Sequence, residues 1–204
     1  MTRRSPWPKL AVFLLCLVPL AWLVWRAFFG TLGVNPIETI NRTLGDWALR
    51  FLLLSLAVTP LRKVSGWGQV ARFRRMIGLY AFFYACLHVS SYVGLDHFFD
   101  WQALGKDILK RNYITVGMAA LLLLVPLAAT STDAMVRRLG GRRWRALHRS
   151  VYVIGVLGVV HYWMMVKADI REPMLYAALL SALLGYRVAA AWWARRTAPT
   201  SSSR

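Results

Sequence analysis

Residues 139–163 read LGGRRWRALHRSVYVIGVLGVVHYW, in which a cluster of arginines is followed by an apolar run that carries His148 and His161. A helix needs about 20 mainly apolar residues to cross a bilayer core about 30 Å thick. Residues 147–166 form such a segment, and the arginines before it suit the lipid headgroup region. This stretch therefore predicts a membrane-spanning helix with one basic end and two histidines.

The composition of the whole chain agrees with this interpretation. Of its 204 residues, 58% are hydrophobic, against roughly 45–50% in ordinary globular proteins. Only 17% are charged, yet the net charge is +18. These values exclude a disordered chain, a fibrous protein and a small disulfide scaffold. Ten tryptophans and long uncharged runs argue against nucleic-acid binding, whereas a polytopic membrane protein explains both the apolar runs and the basic clusters.

Six segments are long and apolar enough to be membrane spans. They are residues 10–29, 44–61, 76–94, 113–130, 147–166 and 174–193. The first is long for a signal peptide and no A-x-A-like cleavage site follows it, so we count it as a helix. The sequence therefore predicts an all-α fold. A bundle of six transmembrane helices over residues 10–193 lies between a short N-terminal segment, 1–9, and a disordered tail, 194–204.

The distribution of basic residues predicts the orientation. Segments 1–9, 62–75, 131–146 and 194–204 hold 16 of the 26 Lys and Arg residues, and their only acidic residue is Asp133. By the positive-inside rule these segments face the cytoplasm, and both termini are cytoplasmic. The basic loops are expected to face anionic lipid, and a docking surface for a cytoplasmic partner is the alternative.

Two histidines are predicted to lie at the same depth. At 1.5 Å per residue, His88 lies about 20 Å from Arg75 at the inner boundary. His161 lies about 18–24 Å from the inner boundary, depending on whether Arg149 or Arg145 marks it. Two level imidazoles on different helices suit axial ligation of a haem iron. The alternative is that each histidine only makes interhelical hydrogen bonds.

His148 is predicted to belong to a separate site near the cytoplasmic surface. It precedes His161 by 13 residues, about 20 Å along a helix, so the two cannot bind one iron. His148 is therefore a candidate ligand of a second haem or an interfacial residue. Arg74 and Arg75 occupy its level on the third span, so no second histidine is available there.

Two further residues have roles predicted by their position along the chain. Arg50 lies inside the second span, where it either snorkels towards the surface or pairs with a haem propionate. His97 lies between the third and fourth spans and is predicted to be a solvated loop residue.

The chain lacks the motifs of a nucleotide-binding module. It contains neither a G-x-G-x-x-G motif after a strand nor a P-loop. Electrons would have to come from a quinone, a bound flavin or a separate reductase.

Four stretches resemble a known family when they are taken in order. They are LGDWALRFLLLSLAVTPLR (44–62), RRMIGLYAFFYACLH (74–88), LLLLVPLAATS (121–131) and LGGRRWRALHRSVY (139–152). The stretch around His148 is typical of ferric-reductase-like membrane proteins in general. Together with KRNYI (110–114), the set resembles the MsrQ family, also called YedZ, and the resemblance covers about residues 44–166.

The resemblance implies an electron-transfer subunit in the bacterial inner membrane. Such proteins pass electrons from quinol to a periplasmic molybdopterin subunit (MsrP-like), which reduces methionine sulfoxide, so this chain would carry no reductase active site. They are associated with haem b and FMN, and the family's histidines correspond to His88, His148 and His161. The basic loops at 72–75 and 142–145 are candidate anchors for a flavin phosphate. A stand-alone ferric or metal reductase, and a non-redox transporter or assembly factor, remain alternatives.

Overall fold

The computed structural model describes residues 7–166 and 168–197, and within these residues it contains helices and no strand. The predicted all-α fold is confirmed. The α-helices are α1 (Trp7–Phe28), α2 (Pro36–Ser65), α3 (Arg74–Ser91), α4 (Trp101–Lys110), α5 (Asn112–Ala129), α6 (Asp133–Leu139), α7 (Gly141–His148), α8 (Val151–Met165) and α9 (Arg171–Arg196). A 3₁₀ helix (Gly68–Phe73) precedes α3, and a π-helical turn (Tyr92–Asp96) follows it. Residues 1–6 of the predicted N-terminal segment and 198–204 of the predicted tail lie outside the described residues.

Five helical segments of the described chain are long and apolar enough to cross a membrane. They are Trp7–Phe28, Pro36–Ser65, Gly68–Asp96, Asn112–Ala129 and Arg171–Arg196. The remaining predicted span forms α8, which has 15 residues and a length of about 22 Å. It is shorter than a bilayer core of about 30 Å. The count of six spans and the cytoplasmic position of both termini therefore stay predictions.

Two helix pairs form the centre of the molecule, since α2 packs along α3 and α5 packs along α8. The first pair contributes the fully buried Leu56 and Tyr84, and the second contributes Ile154. Helix α9 packs against α2 and α8, and α1 lies at the periphery with most of its surface exposed. The space between the two central pairs is where the candidate site lies.

Helix α2 begins eight residues earlier than the predicted span. The Asn35 side chain accepts a hydrogen bond from the backbone N–H of Glu38, and Pro36 suits the first helical position because it has no N–H to satisfy. These polar residues do not register as a membrane segment, although they are a helix start signal. The added turns carry Asn41 and Arg42 into the region of the site.

The predicted loop 95–112 contains a helix, α4, which is capped by the side chain of Asp100. Asp107 on α4 lies 3.5 Å from the Nε2 atom of His97 and 3.2 Å from the Nε atom of Arg111. The side chain of His97 is only 14% exposed. The prediction of a solvated His97 is wrong, because α4 folds back and places a carboxylate against the imidazole.

Tyr84 connects α1 to α3. Its hydroxyl group donates to the carbonyl oxygen of Cys16 at 2.9 Å and accepts from the backbone N–H of Leu20 at 3.1 Å. Pro19 lies beside these two groups and has no N–H of its own. A fully buried hydroxyl thus satisfies backbone groups of α1 next to its proline.

Two arginines attach α9 to α2. Arg50 of α2 donates from Nε to the hydroxyl group of Tyr176 at 2.8 Å. Arg187 of α9 donates to the carbonyl oxygens of Leu183 and Leu56. Both cations lie within apolar helices, where backbone and hydroxyl oxygens replace the water that they lose.

Candidate functional site

A cavity of about 180 Å³ lies between the two central helix pairs. Both His88, from α3, and His161, from α8, line it. Apolar residues of α2, α3, α5 and α8 form most of its wall. The other polar side chains that line it are Asn41, Arg42, Asp46, Tyr92, Tyr113 and Tyr162. We refer to it as the outer cavity, because its two histidines are predicted to lie in the half of the membrane away from the cytoplasm.

The structure brings His88 and His161 together. Their ring centroids are 6.2 Å apart and their planes are inclined by 76°. A metal bonded to one nitrogen of each ring lies about 2 Å from both, which separates the centroids by about 6 Å. The two rings are therefore spaced as they would be with a single metal ion between them.

Each imidazole is oriented by a backbone carbonyl. Nδ1 of His88 lies 2.9 Å from the carbonyl oxygen of Asn41, and Nδ1 of His161 lies 2.7 Å from that of Tyr113. Because a carbonyl oxygen only accepts, both Nδ1 atoms carry the proton. The lone pair of each imidazole is then on Nε2. Metal-binding histidines commonly have their second nitrogen held by a carbonyl in this way.

These residues fit a haem better than a metal ion held by side chains alone. Within the described residues, no group of three or more His, Cys, Asp or Glu is placed to hold a metal ion. Two imidazoles can supply the axial ligands of an iron whose other four ligands come from a porphyrin. The apolar wall suits a flat macrocycle, and Arg42 is a cation that could face a propionate.

Arg50 and Arg42 differ in their relation to the outer cavity. Arg50 does not line it; its guanidinium is hydrogen-bonded to Tyr176 and lies 5.0 Å from the ring centroid of Trp47. Arg42 does line it, and pairs with Glu38 one turn earlier at 2.6 Å. Sequence reasoning missed Arg42 because the predicted span began after it. The sequence signal for an earlier helix start was the capping residue Asn35, followed by the oppositely charged pair Glu38 and Arg42 four positions apart.

A second cavity lies towards the predicted cytoplasmic side and is lined by His148, Arg74, Arg75, Trp144 and Ser131, among others. Its volume is about 250 Å³, so the outer cavity is not the only space for a cofactor among the described residues. We call it the inner cavity. The structure thus separates His148 from the other two candidate ligands, as their spacing predicts.

His148 is held by its neighbours in the inner cavity. Its Nε2 atom lies 3.0 Å from the hydroxyl oxygen of Thr130, and its ring stacks on Trp144 with centroids 3.9 Å apart. Arg75, which shares this cavity, donates a hydrogen bond to Asp133, and this bond lowers the pKa of that carboxyl group. The inner cavity therefore contains a basic wall and one imidazole, but no second imidazole.

Comparison with known proteins gives one family and many close relatives. The family described as "Ferric reductase like transmembrane component" matches residues 44–159. A protein of Rhodospirillum rubrum named "Protein-methionine-sulfoxide reductase heme-binding subunit MsrQ" is 60% identical over 93% of this chain and 91% of its own length. Proteins of the same name from Caulobacter vibrioides and Herminiimonas arsenicoxydans are 52% and 50% identical. They cover 94% and 92% of this chain, and 90% and 87% of their own lengths.

Proposed function

The chain belongs to the MsrQ family of ferric-reductase-like membrane proteins, and we propose that it is the haem-binding electron-transfer subunit of a protein-methionine-sulfoxide reductase. The observation that carries this proposal is the pair His88 and His161, with centroids 6.2 Å apart and both Nε2 atoms left for a metal. The reduction of methionine sulfoxide itself would take place on another subunit.

His88 and His161 would hold a b-type haem through their Nε2 atoms. Bound there, the haem iron supplies one-electron transfer between its ferric and ferrous states. The carbonyls of Asn41 and Tyr113 keep both imidazoles in the required tautomer, so no proton has to move at Nδ1 when the charge of the site changes. The apolar wall excludes water, and Arg42 provides a positive charge for a propionate. Arg50 would have to give up its hydrogen bond to Tyr176 before it could pair with a propionate.

The two cavities suggest a direction for the electrons. We propose that they enter from the quinone pool and leave from the outer cavity to a periplasmic molybdopterin subunit of the MsrP type. The basic wall of the inner cavity suits an anionic group, and Arg74 and Arg75 are candidate anchors for the phosphate of FMN. A second haem at His148 would require Thr130 to release Nε2 and a ligand other than histidine on the opposite side.

The proposed topology places both termini in the cytoplasm of a bacterium, with six crossings of the inner membrane. It rests on the positive-inside rule and on α8, which is mainly apolar but short. The basic helix α7 directly precedes α8, so the two together can bridge the hydrocarbon layer and its inner headgroup region.

The first test is whether the purified protein carries the proposed haem. We expect a b-type redox-difference spectrum with a six-coordinate low-spin signature, which is lost in His88→Ala and in His161→Ala. His97→Ala is the control, since that imidazole contacts Asp107 and Tyr92 but does not itself line the outer cavity. A folded, haem-replete preparation without this signature would refute ligation by the pair.

The second test concerns the electron acceptor. Quinol-reduced protein in nanodiscs is mixed with a periplasmic molybdopterin subunit and a methionine-sulfoxide peptide, and the reoxidation of the haem is followed optically. Turnover-dependent reoxidation supports the proposed function. Reoxidation by ferric citrate alone, with no response to the subunit and its peptide, would instead support a stand-alone metal reductase. Protein without haem would favour a transporter or assembly factor.

A further inference from the structure

We propose that Gly45 and Gly117 are positioning residues for the two haem ligands, each opening a helix carbonyl to an imidazole and thereby setting the reduction potential. This inference rests on the proposed function, because it concerns how the chain tunes the haem site. Neither glycine would touch the iron. Each would act through the histidine that packs against it.

The two histidines are held by the same local arrangement on different helices. On α2, the carbonyl that binds His88 belongs to Asn41, and Gly45 follows four residues later. On α5, the carbonyl that binds His161 belongs to Tyr113, and Gly117 again follows four residues later. The carbonyl precedes its histidine by 47 residues in the first case and by 48 in the second.

Helix geometry explains why a glycine is needed at this spacing. Each Cα–Cβ bond in a helix tilts towards the N-terminus, so a side chain lies over the turn that precedes it. The side chain of residue i+4 therefore covers the carbonyl of residue i. An imidazole from a neighbouring helix can reach that carbonyl from the side when residue i+4 has no side chain.

The distances agree with this explanation. A Cβ atom added at Gly117 would lie 2.8 Å from Nδ1 and Cε1 of His161. A Cβ atom added at Gly45 would lie 3.1 Å from the same atoms of His88. The first distance forces the imidazole to move, and the second requires a shift of a few tenths of an ångström.

Other glycines in the described helices do not show this relation to a histidine. A Cβ atom at Gly155 or Gly158 would meet leucine side chains, and one at Gly185 would meet nothing within 4 Å. The sequences around the two glycines differ, LGDW in α2 and VGMA in α5. A common sequence motif therefore does not explain why both glycines lie against a histidine. The feature common to both sites is the carbonyl, the glycine and the imidazole.

A hydrogen bond from Nδ1–H to a carbonyl makes the imidazole a stronger electron donor to a bound metal. A stronger donor stabilises ferric iron relative to ferrous iron and lowers the reduction potential. Displacing either ring from its carbonyl is therefore expected to raise the potential. Because the contact at Gly117 is closer, its substitution should have the larger effect.

The variants are Gly45→Ala and Gly117→Ala, with Gly185→Ala as a matched control in a membrane helix. Haem midpoint potentials and ferric EPR spectra are measured on each purified protein. We expect a small rise in potential for Gly45→Ala, a larger rise or loss of haem for Gly117→Ala, and no change for Gly185→Ala. Unshifted potentials and g-values in both variants would overturn this inference alone, whereas wild-type protein without haem would overturn the proposed function as well.

A measurement on the unaltered protein covers the case in which an alanine variant fails to fold. In the diamagnetic ferrous state, ¹⁵N-histidine labelling resolves the ring protons of the ligands by NMR. We expect two slowly exchanging Nδ1 protons and iron bound at Nε2 of both His88 and His161. Iron at an Nδ1 atom, or an Nδ1 proton that exchanges freely, would overturn the inference.

Discussion

The imidazole planes of His88 and His161 are nearly perpendicular, with an inclination of 76° at a centroid separation of 6.2 Å. Each plane is fixed by a carbonyl on a different helix, Asn41 on α2 and Tyr113 on α5. The angle is therefore a property of how the two central helix pairs pack, and it has a spectroscopic consequence.

We expect the oxidised haem to give a low-spin EPR spectrum with one large, isolated g-value. Perpendicular axial imidazoles leave two iron d orbitals almost equal in energy, whereas parallel planes separate them and produce a rhombic spectrum. The measurement is low-temperature EPR of the ferric protein in detergent and in nanodiscs. A rhombic spectrum in both would show that the rings turn when the haem binds.

Replacement of Arg42 by Gln is expected to lower the haem midpoint potential, because a positive charge beside the site favours the ferrous form. Arg50→Gln should change the potential much less, since this guanidinium is bound to Tyr176 outside the outer cavity. Redox titration of both variants distinguishes the two arginines. The opposite order would identify Arg50 as the partner of a propionate, which the sequence also allows.

His148→Ala should leave the low-spin signature of the outer site unchanged. The imidazole that it removes is hydrogen-bonded to Thr130 and lines the inner cavity, whereas His161 lines the outer cavity. Haem-to-protein stoichiometry, measured together with the spectrum, reports whether the inner cavity loses a cofactor of its own. Disappearance of the outer signature in a folded variant would contradict the separation of the two cavities.

Tyr84→Phe is expected to destabilise the protein by about 1–2 kcal/mol, because it leaves backbone groups of α1 without their buried partner. The measurement is reversible unfolding in mixed micelles. Tyr186→Phe is a suitable control, since Tyr186 lies on α9 and is not one of the buried residues of that helix. Equal stability of the two variants would mean that water or lipid replaces the Tyr84 hydroxyl at no cost.

Much of this architecture follows from apolar length and residue depth. Counting 1.5 Å per residue from the basic boundaries puts His88 and His161 at one level, and in the structure the two rings are neighbours. The same counting separates His148 from them. These features depend on distance along single helices, which the sequence specifies directly.

Other features depend on contacts that hydropathy does not encode. The early start of α2 comes from a polar cap at Asn35, and α4 comes from a cap at Asp100, both within predicted loops. The orientation of Arg50 depends on Tyr176, which is 126 residues away. The regular α-helical hydrogen bonding is also interrupted between α7 and α8 at Arg149 and Ser150, inside a segment predicted to be one continuous span, although both residues keep right-handed helical backbone angles.

The shortness of α8 affects the lipid around it. Helix α8 alone is about 22 Å long, and the rest of the crossing falls to the basic helix α7, so we expect the bilayer to thin locally where the two helices meet. The inner end of α8 adjoins α7, whose arginines can draw headgroups and water inwards. An electron from a donor at the cytoplasmic surface would then tunnel across a thinner insulating layer here than elsewhere in the same membrane.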